Sequence, residues 1–165
     1  MRKLRNRAGM TLLEMLCALT ILVILVAGMG GALNAGTAIY REAIFEADSA
    51  ALEEILNTAL GDILRFSEER RISDSEDIVF TNREYGVKDG YFQISSPDGG
   101  TLQIRSGAGT LELVNAGAYG DLVITDLKVV YVPRGGYFEI SYNIRSEKYA
   151  DFTRRAETVV RVMND

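Results

Sequence analysis

From Met15 to Leu33 almost every position is aliphatic, and no charged residue occurs between Glu14 and Arg41. A stretch apolar on all sides predicts a lipid-facing helix long enough to cross a bilayer. Beyond it Ile44, Ala47, Ala51, Leu52, Ile55, Leu56, Ala59, Leu60, Ile63 and Leu64 recur at three- and four-residue intervals. Glu42, Glu46, Asp48, Glu53, Glu54, Asp62 and Arg65 fall between them, so this part predicts an amphipathic helix with one wet face. Read as continuous from Met10 to about Phe66, the helix would be roughly 80 Å long at about 1.5 Å per residue.

After Arg71 the period drops to two. Tyr91–Ile94 and Leu102–Ile104 flank Ser96-Pro97-Asp98-Gly99-Gly100, a hairpin connection in which Pro presets φ and Gly accepts positive φ. Leu111–Val114 follows the Ser106–Gly109 turn, and Leu122–Ile124 and Leu127–Val132 lead into Pro133-Arg134-Gly135-Gly136. Tyr137–Ile144 alternates large apolar with polar residues, and Thr158–Val162 closes the chain. These runs predict an antiparallel β meander needing cover on one face, and the amphipathic helical stripe is the available cover. The expected fold class is therefore α+β, a long N-terminal helix whose second half packs on the sheet while its first half projects bare. The expected divisions are a leader at 1–9, a membrane-spanning half-helix at 10–34, an amphipathic half at 35–70 and a β domain at 71–165.

Charge sharpens this picture. The first nine residues hold Arg2, Lys3, Arg5 and Arg7 and no acid, a formal +4, whereas the rest holds 14 basic against 23 acidic residues, a net of −9. The asymmetry keeps the basic end in the cytoplasm and sends the body across. An acidic body also argues against nucleic-acid binding, which needs clustered Lys and Arg. The chain has no histidine, which removes His-based acid–base catalysis and His-ligated zinc. Cys17 is the single cysteine; it makes no intrachain disulfide and reads as a small packing residue.

Glu14 is the outlier, a carboxylate at the head of an uncharged span. Within a membrane it costs on the order of 3 kcal/mol, so it implies a cation brought by another molecule. Gly28, Gly30, Gly31 and Gly36 each cost about 1 kcal/mol in a helix interior. They suit either close helix–helix contact or a weak point where the helix unwinds, and the two readings stay open.

The run Gly9-Met10-Thr11-Leu12-Leu13-Glu14 resembles the leader junction of type IV pilins and pseudopilins, over about Arg5 to Val26. That resemblance implies a membrane prepilin peptidase cutting between Gly9 and Met10 and N-methylation of Met10. It also implies that Glu14, then the fifth residue, pairs with the terminal amine of a neighbouring subunit. The implied partners are the peptidase, other pilin-type subunits and an assembly-platform membrane protein. The implied location is the cytoplasmic (inner) membrane, single-pass with the N-terminus inside, followed by an extracytoplasmic filament. The chain departs from the family in having Met10 where phenylalanine is usual and no proline near Gly28–Gly31. The modest β domain without a cysteine loop leans towards a minor or initiating subunit of a type IV pilus, type II secretion pseudopilus or competence pilus. The competing reading is an ordinary signal or uncleaved anchor, with Gly28 and Gly30 as small cleavage-site residues. On that reading Glu14 has no use.

No constellation supports catalysis, a cofactor or a metal. Ser73-Asp74-Ser75-Glu76-Asp77 offers oxygen ligands for calcium but lacks the spaced Asp/Asn–Gly pattern, and it reads as a solvated turn. Ser106–Thr110 and Asp98–Gly100 lack the lysine and following helix of a phosphate loop. Glu68-Glu69-Arg70-Arg71 reads as a charge cluster at the helix end. Tyr85, Tyr91, Tyr119, Tyr131, Tyr137, Tyr142 and Tyr149 read as half-buried strand residues rather than an adhesive surface.

Overall fold

Helix α1 runs unbroken over Leu12–Arg65 in the computed structural model, which describes residues 11–72, 78–149 and 151–163. The leader, Gly9, Met10 and the acidic run Ser73–Asp77 lie outside the described residues. The chain divides into two units, Met1–Ala43 and Ile44–Asp165. In the first, every described residue is exposed helix, and here lies the one described helix long and apolar enough to cross a membrane.

In the second unit the helical stripe turns inward as its periodicity dictates. Phe45, Ser49, Leu52, Leu56, Leu60, Ile63 and Leu64 are buried, spaced by threes and fours. All but Ser49 join one hydrophobic cluster with Phe80, Phe92, Leu102, Ile104, Ile124, Phe138, Ile140, Tyr142 and Ile144. Phe80 and Phe92 stack with ring centres 5.2 Å apart, and Phe45 stacks on Phe152 at 5.5 Å. Each such side chain contributes about 1.5–3 kcal/mol through removal from water.

The α+β class holds, and the strands are all antiparallel. They divide between two sheets rather than running as one meander. The first sheet orders β1 (Glu68–Ile72), β2 (Ile78–Asn82), β3 (Val87–Ile94), β4 (Leu102–Ser106) and β5 (Gly109–Glu112) as β1-β2-β3-β4-β5. The second orders β6 (Leu122–Val132), β7 (Tyr137–Ser146) and β8 (Thr153–Arg161) as β6-β7-β8. Gly100 and Ile124 exchange two backbone hydrogen bonds, of 3.1 and 2.8 Å, and so stitch one sheet to the other. The neighbouring Gly99 has φ +119°, and a Cβ there would meet Thr125 Cγ2 at 3.0 Å and Val123 Cγ2 at 3.1 Å. Glycine at this turn therefore serves both the backbone conformation and the close approach of the second sheet.

Two expectations need correction. The helix stops at Arg65, within a residue of the Phe66 limit read from its periodicity, so the division at 70 runs past it, and Glu68-Glu69-Arg70-Arg71 lies in strand β1 rather than at a helix end. The reason is tertiary: the last carbonyls of α1 are taken by partners outside the helix. Asn82 Nδ2 donates to the Ile63 carbonyl at 2.7 Å, Ser67 Oγ to Leu64 at 2.8 Å, and the Met163 amide to Arg65 at 2.8 Å. Once the helix ends there, the charged segment pairs with β2, with Arg71 opposite Val79 and Ile72 opposite Ile78. In addition, Leu122–Ile124 and Leu127–Val132 form one strand, broken in register between Thr125 and Lys128, with Asp126 at φ +53°. Of the seven tyrosines, Tyr91, Tyr131, Tyr137 and Tyr142 are buried or half-buried strand residues, whereas Tyr119 and Tyr149 are buried or half-buried between strands and Tyr85 is exposed in a turn.

Candidate functional site at the N-terminus

The head of α1 is built by a four-residue pattern, Thr11-Leu12-Leu13-Glu14. Thr11 precedes the first helical residue, and its hydroxyl oxygen accepts the Glu14 amide at 3.3 Å. Glu14 Oε2 in turn accepts the Thr11 amide at 3.0 Å and the Thr11 hydroxyl at 3.2 Å. This is a reciprocal capping box, which satisfies donors that the helix itself leaves unpaired. The carboxylate is thereby folded back over the N-terminal end of the helix, where the macrodipole favours negative charge. Thr11 thus acts within the first turn.

The geometry resolves half of the lone-carboxylate problem. Among the described residues, Glu14 meets neutral donors only, and both bonds fall on Oε2. Glu14 is exposed, and every described residue from Thr11 to Ile44 is exposed with it. A cation placed ahead of Thr11 would meet a carboxylate already aimed along the helix axis. Sequence position 10 is the adjoining one.

The rest of the apolar segment carries no chemistry of its own. Thr20 Oγ1 donates to the Leu16 carbonyl at 2.8 Å and Thr37 Oγ1 to Asn34 at 2.9 Å, so both hydroxyls are satisfied inside the helix. Cys17 is a free thiol on the exposed surface, in contact with no core of this chain. A Cβ added at Gly28, Gly30, Gly31 or Gly36 would meet nothing within 4 Å. No packing inside the chain asks for those glycines, which leaves contact with other helices or softness of the helix as their use. Among the described residues no group of three or more acidic, Cys or His side chains is placed to hold a metal ion.

One comparison with known proteins is informative. Residues 4–30 match the family model described as the prokaryotic N-terminal methylation motif. The match takes in the leader from Leu4 on, with Arg5 and Arg7, then Gly9, Met10, the Thr11–Glu14 cap and the apolar segment up to Gly30. Comparison with curated proteins gives no match, and comparison with solved structures gives none.

Proposed function

We propose, for a chain that bears the N-terminal signature of type IV pilins and pseudopilins, a structural role as a filament subunit made as a membrane-inserted precursor. The signature points to a structural protein and not to an enzyme. The apolar N-terminal helix and the motif together fit a single-pass membrane anchor. The finer reading has the leader removed between Gly9 and Met10, Met10 N-methylated, and the subunit assembled through α1 into a type IV pilus or a secretion or competence pseudopilus.

The observation that carries this reading is Glu14 at the head of an uncharged span, held among the described residues by neutral donors alone. Cutting after Gly9 creates an α-amino group at Met10. Methylation leaves that amine basic, so it remains a cation at neutral pH. The terminal amine of a neighbouring subunit then supplies the charge that Glu14 lacks. Attraction between the two strengthens as helices bundle and water leaves, while either charge left alone in lipid is costly. Such a pair fixes the axial register of the helices, and their apolar surfaces supply most of the association.

Mass spectrometry of the membrane-extracted protein tests the processing. The expected N-terminus is methylated Met10; an intact Met1 or a terminus near Gly31 would support a single-span anchored binding module that never polymerises. Gly9 replaced by a bulky residue should block the cut. Glu14→Ala should be cleaved normally yet enter filaments poorly, and unchanged incorporation would refute the pairing role.

A further inference from the structure

Four strands form the outer edges of the two sheets among the described residues, and three of them are blunted. Strand β1 loses register between Glu68 and Arg71, β5 is four residues long, and β6 is bulged between Thr125 and Lys128 and engaged by Gly100. These are among the usual ways of protecting an edge from other chains. Strand β8 has none of these three, and two of its charged side chains, Arg155 and Glu157, neutralise each other at 2.8 Å. It runs nine residues with unbroken register against β7 and contains neither proline nor glycine.

The direction of its free polar groups follows from the ladder. The Val162 amide donates to Gly136 at 2.9 Å, and the Phe152 carbonyl accepts the Ser146 amide at 3.1 Å, so even-numbered residues here face β7. Alternation then turns the N–H and C=O groups of Arg155, Glu157, Val159 and Arg161 outward. The next outward amide, Met163, donates to the Arg65 carbonyl at 2.8 Å, and this closes the row at its C-terminal end.

A cleft of about 470 Å³ runs beside this row, lined on the helix side by Asn57, Gly61 and Arg65 and on the strand side by Thr158–Met163. Asn57 Oδ1 has no hydrogen-bond partner, although it is shielded from water. Gly61 sits in the helix interior, where glycine is unfavourable, yet a Cβ there would touch only Arg65 Nη2 at 3.9 Å. Contacts within the fold therefore leave room for a side chain at position 61. Val159, on the outer face of the same strand, is 65% exposed.

We infer that the open edge of β8 accepts an extended polypeptide segment from a neighbouring subunit, which adds as a fourth strand beside β6-β7-β8. A row of alternating amides and carbonyls is complementary to another backbone in extended form and to no lipid, sugar or nucleic acid. Side chains opposite the outer face set the preference. Arg155 is already paired with Glu157 at 2.8 Å, so the matching segment carries an apolar residue opposite Val159 and an acidic one opposite Arg161. The inference rests on the filament reading only for the source of that strand.

Hydrogen exchange resolved to single amides, on the full chain, tests it in two states: dissolved in detergent, and in the native membrane or filament fraction that holds it. In detergent the Arg155, Glu157, Val159 and Arg161 amides should exchange freely while those of Thr158 and Val160 are protected. In the native fraction the outward amides should slow by about 100-fold or more. Val159→Pro removes one outward donor and spares every bond to β7, so it should keep its detergent melting temperature and lose the native-state protection at Glu157 and Arg161. Outward amides that exchange equally fast in both states would overturn the inference. Electron microscopy of the same fraction separates it from the filament reading: protection without filaments sinks the latter alone, and filaments without protection sink the strand addition alone.

Discussion

Thr11 and Glu14 hold each other across the first helical turn, through bonds of 3.0, 3.2 and 3.3 Å between amide, hydroxyl and carboxylate. The contact gives two substitutions different expected signatures. Thr11→Ala should loosen the head of the helix, at a cost of about 1 kcal/mol, read as faster amide exchange at Leu13 to Met15 in detergent. Glu14→Gln keeps an oxygen that accepts the same donors and loses only the charge. It should leave that exchange nearly unchanged while lowering incorporation into filaments.

Arg154 ties β8 to α1. Its guanidinium lies 2.9 Å from Glu53 Oε2 and 3.0 Å from Glu46 Oε2, with the arginine one-third exposed. Partial exposure limits the value of the contact, so Arg154→Ala should cost about 1 kcal/mol and lower the melting temperature by several degrees. Arg154→Lys should recover little, because one ammonium does not span both carboxylates. Added salt should shrink the difference between wild type and variant in thermal unfolding.

Asn82 is the tertiary stop of the helix. Its Nδ2 caps the Ile63 carbonyl at 2.7 Å, and its Oδ1 accepts the amides of Glu84 and Tyr85 at 3.0 and 3.2 Å. Asn82→Ala strands these groups in a buried place. A loss of about 2–3 kcal/mol is expected in chemical denaturation, with an unchanged slope if the folded state keeps its compactness.

Tyr142 sets an alkaline limit. Its hydroxyl is buried without a partner; burial, then the Glu53 carboxylate, then Tyr119 push its pKa upward. Burial likewise raises Tyr119, against the bond it accepts from the Leu102 amide. The folded state therefore keeps both phenols neutral where the unfolded chain begins to ionise. Their contribution is complete below about pH 10 and is lost as the pH climbs from there through the raised values. Unfolding midpoints measured from pH 8 to 11.5 should fall at the top of that range. Tyr142→Phe should blunt the fall and, by removing an orphaned hydroxyl, be neutral or stabilising by up to about 1 kcal/mol at pH 7.

Much of the second unit was legible in the chain because its signals are local. The spacing of Leu52, Leu56, Leu60 and Leu64 dictates one buried helical stripe, and all four are fully or almost fully buried. Ser96–Gly100 turns where Pro97 and Gly99 require it, and Tyr137–Ser146 buries alternate residues as its pattern demands. Strand β2 escaped notice although all five of its residues are buried. A short strand enclosed on both faces has no alternation to read. Strand β1 escaped for a different reason: no glycine or proline separates it from α1, its residues are mostly charged, and the caps that end the helix come from residues 82 and 163.

At the N-terminus the informative signals lie in the order of the residues. A lone Glu14, a basic leader and an uncharged span are properties of composition and order, and they need no fold to be recognised. Even the Thr11–Glu14 cap is a contact three residues apart, inside the reach of one helical turn. Where distant segments meet was left to the folded chain: the division of the eight described strands into two sheets, the stitch between Gly100 and Ile124, and which edge stays open. Those outcomes depend on contacts between residues tens of positions apart. Loop closure and packing select among them, and neither leaves a periodic trace along the chain.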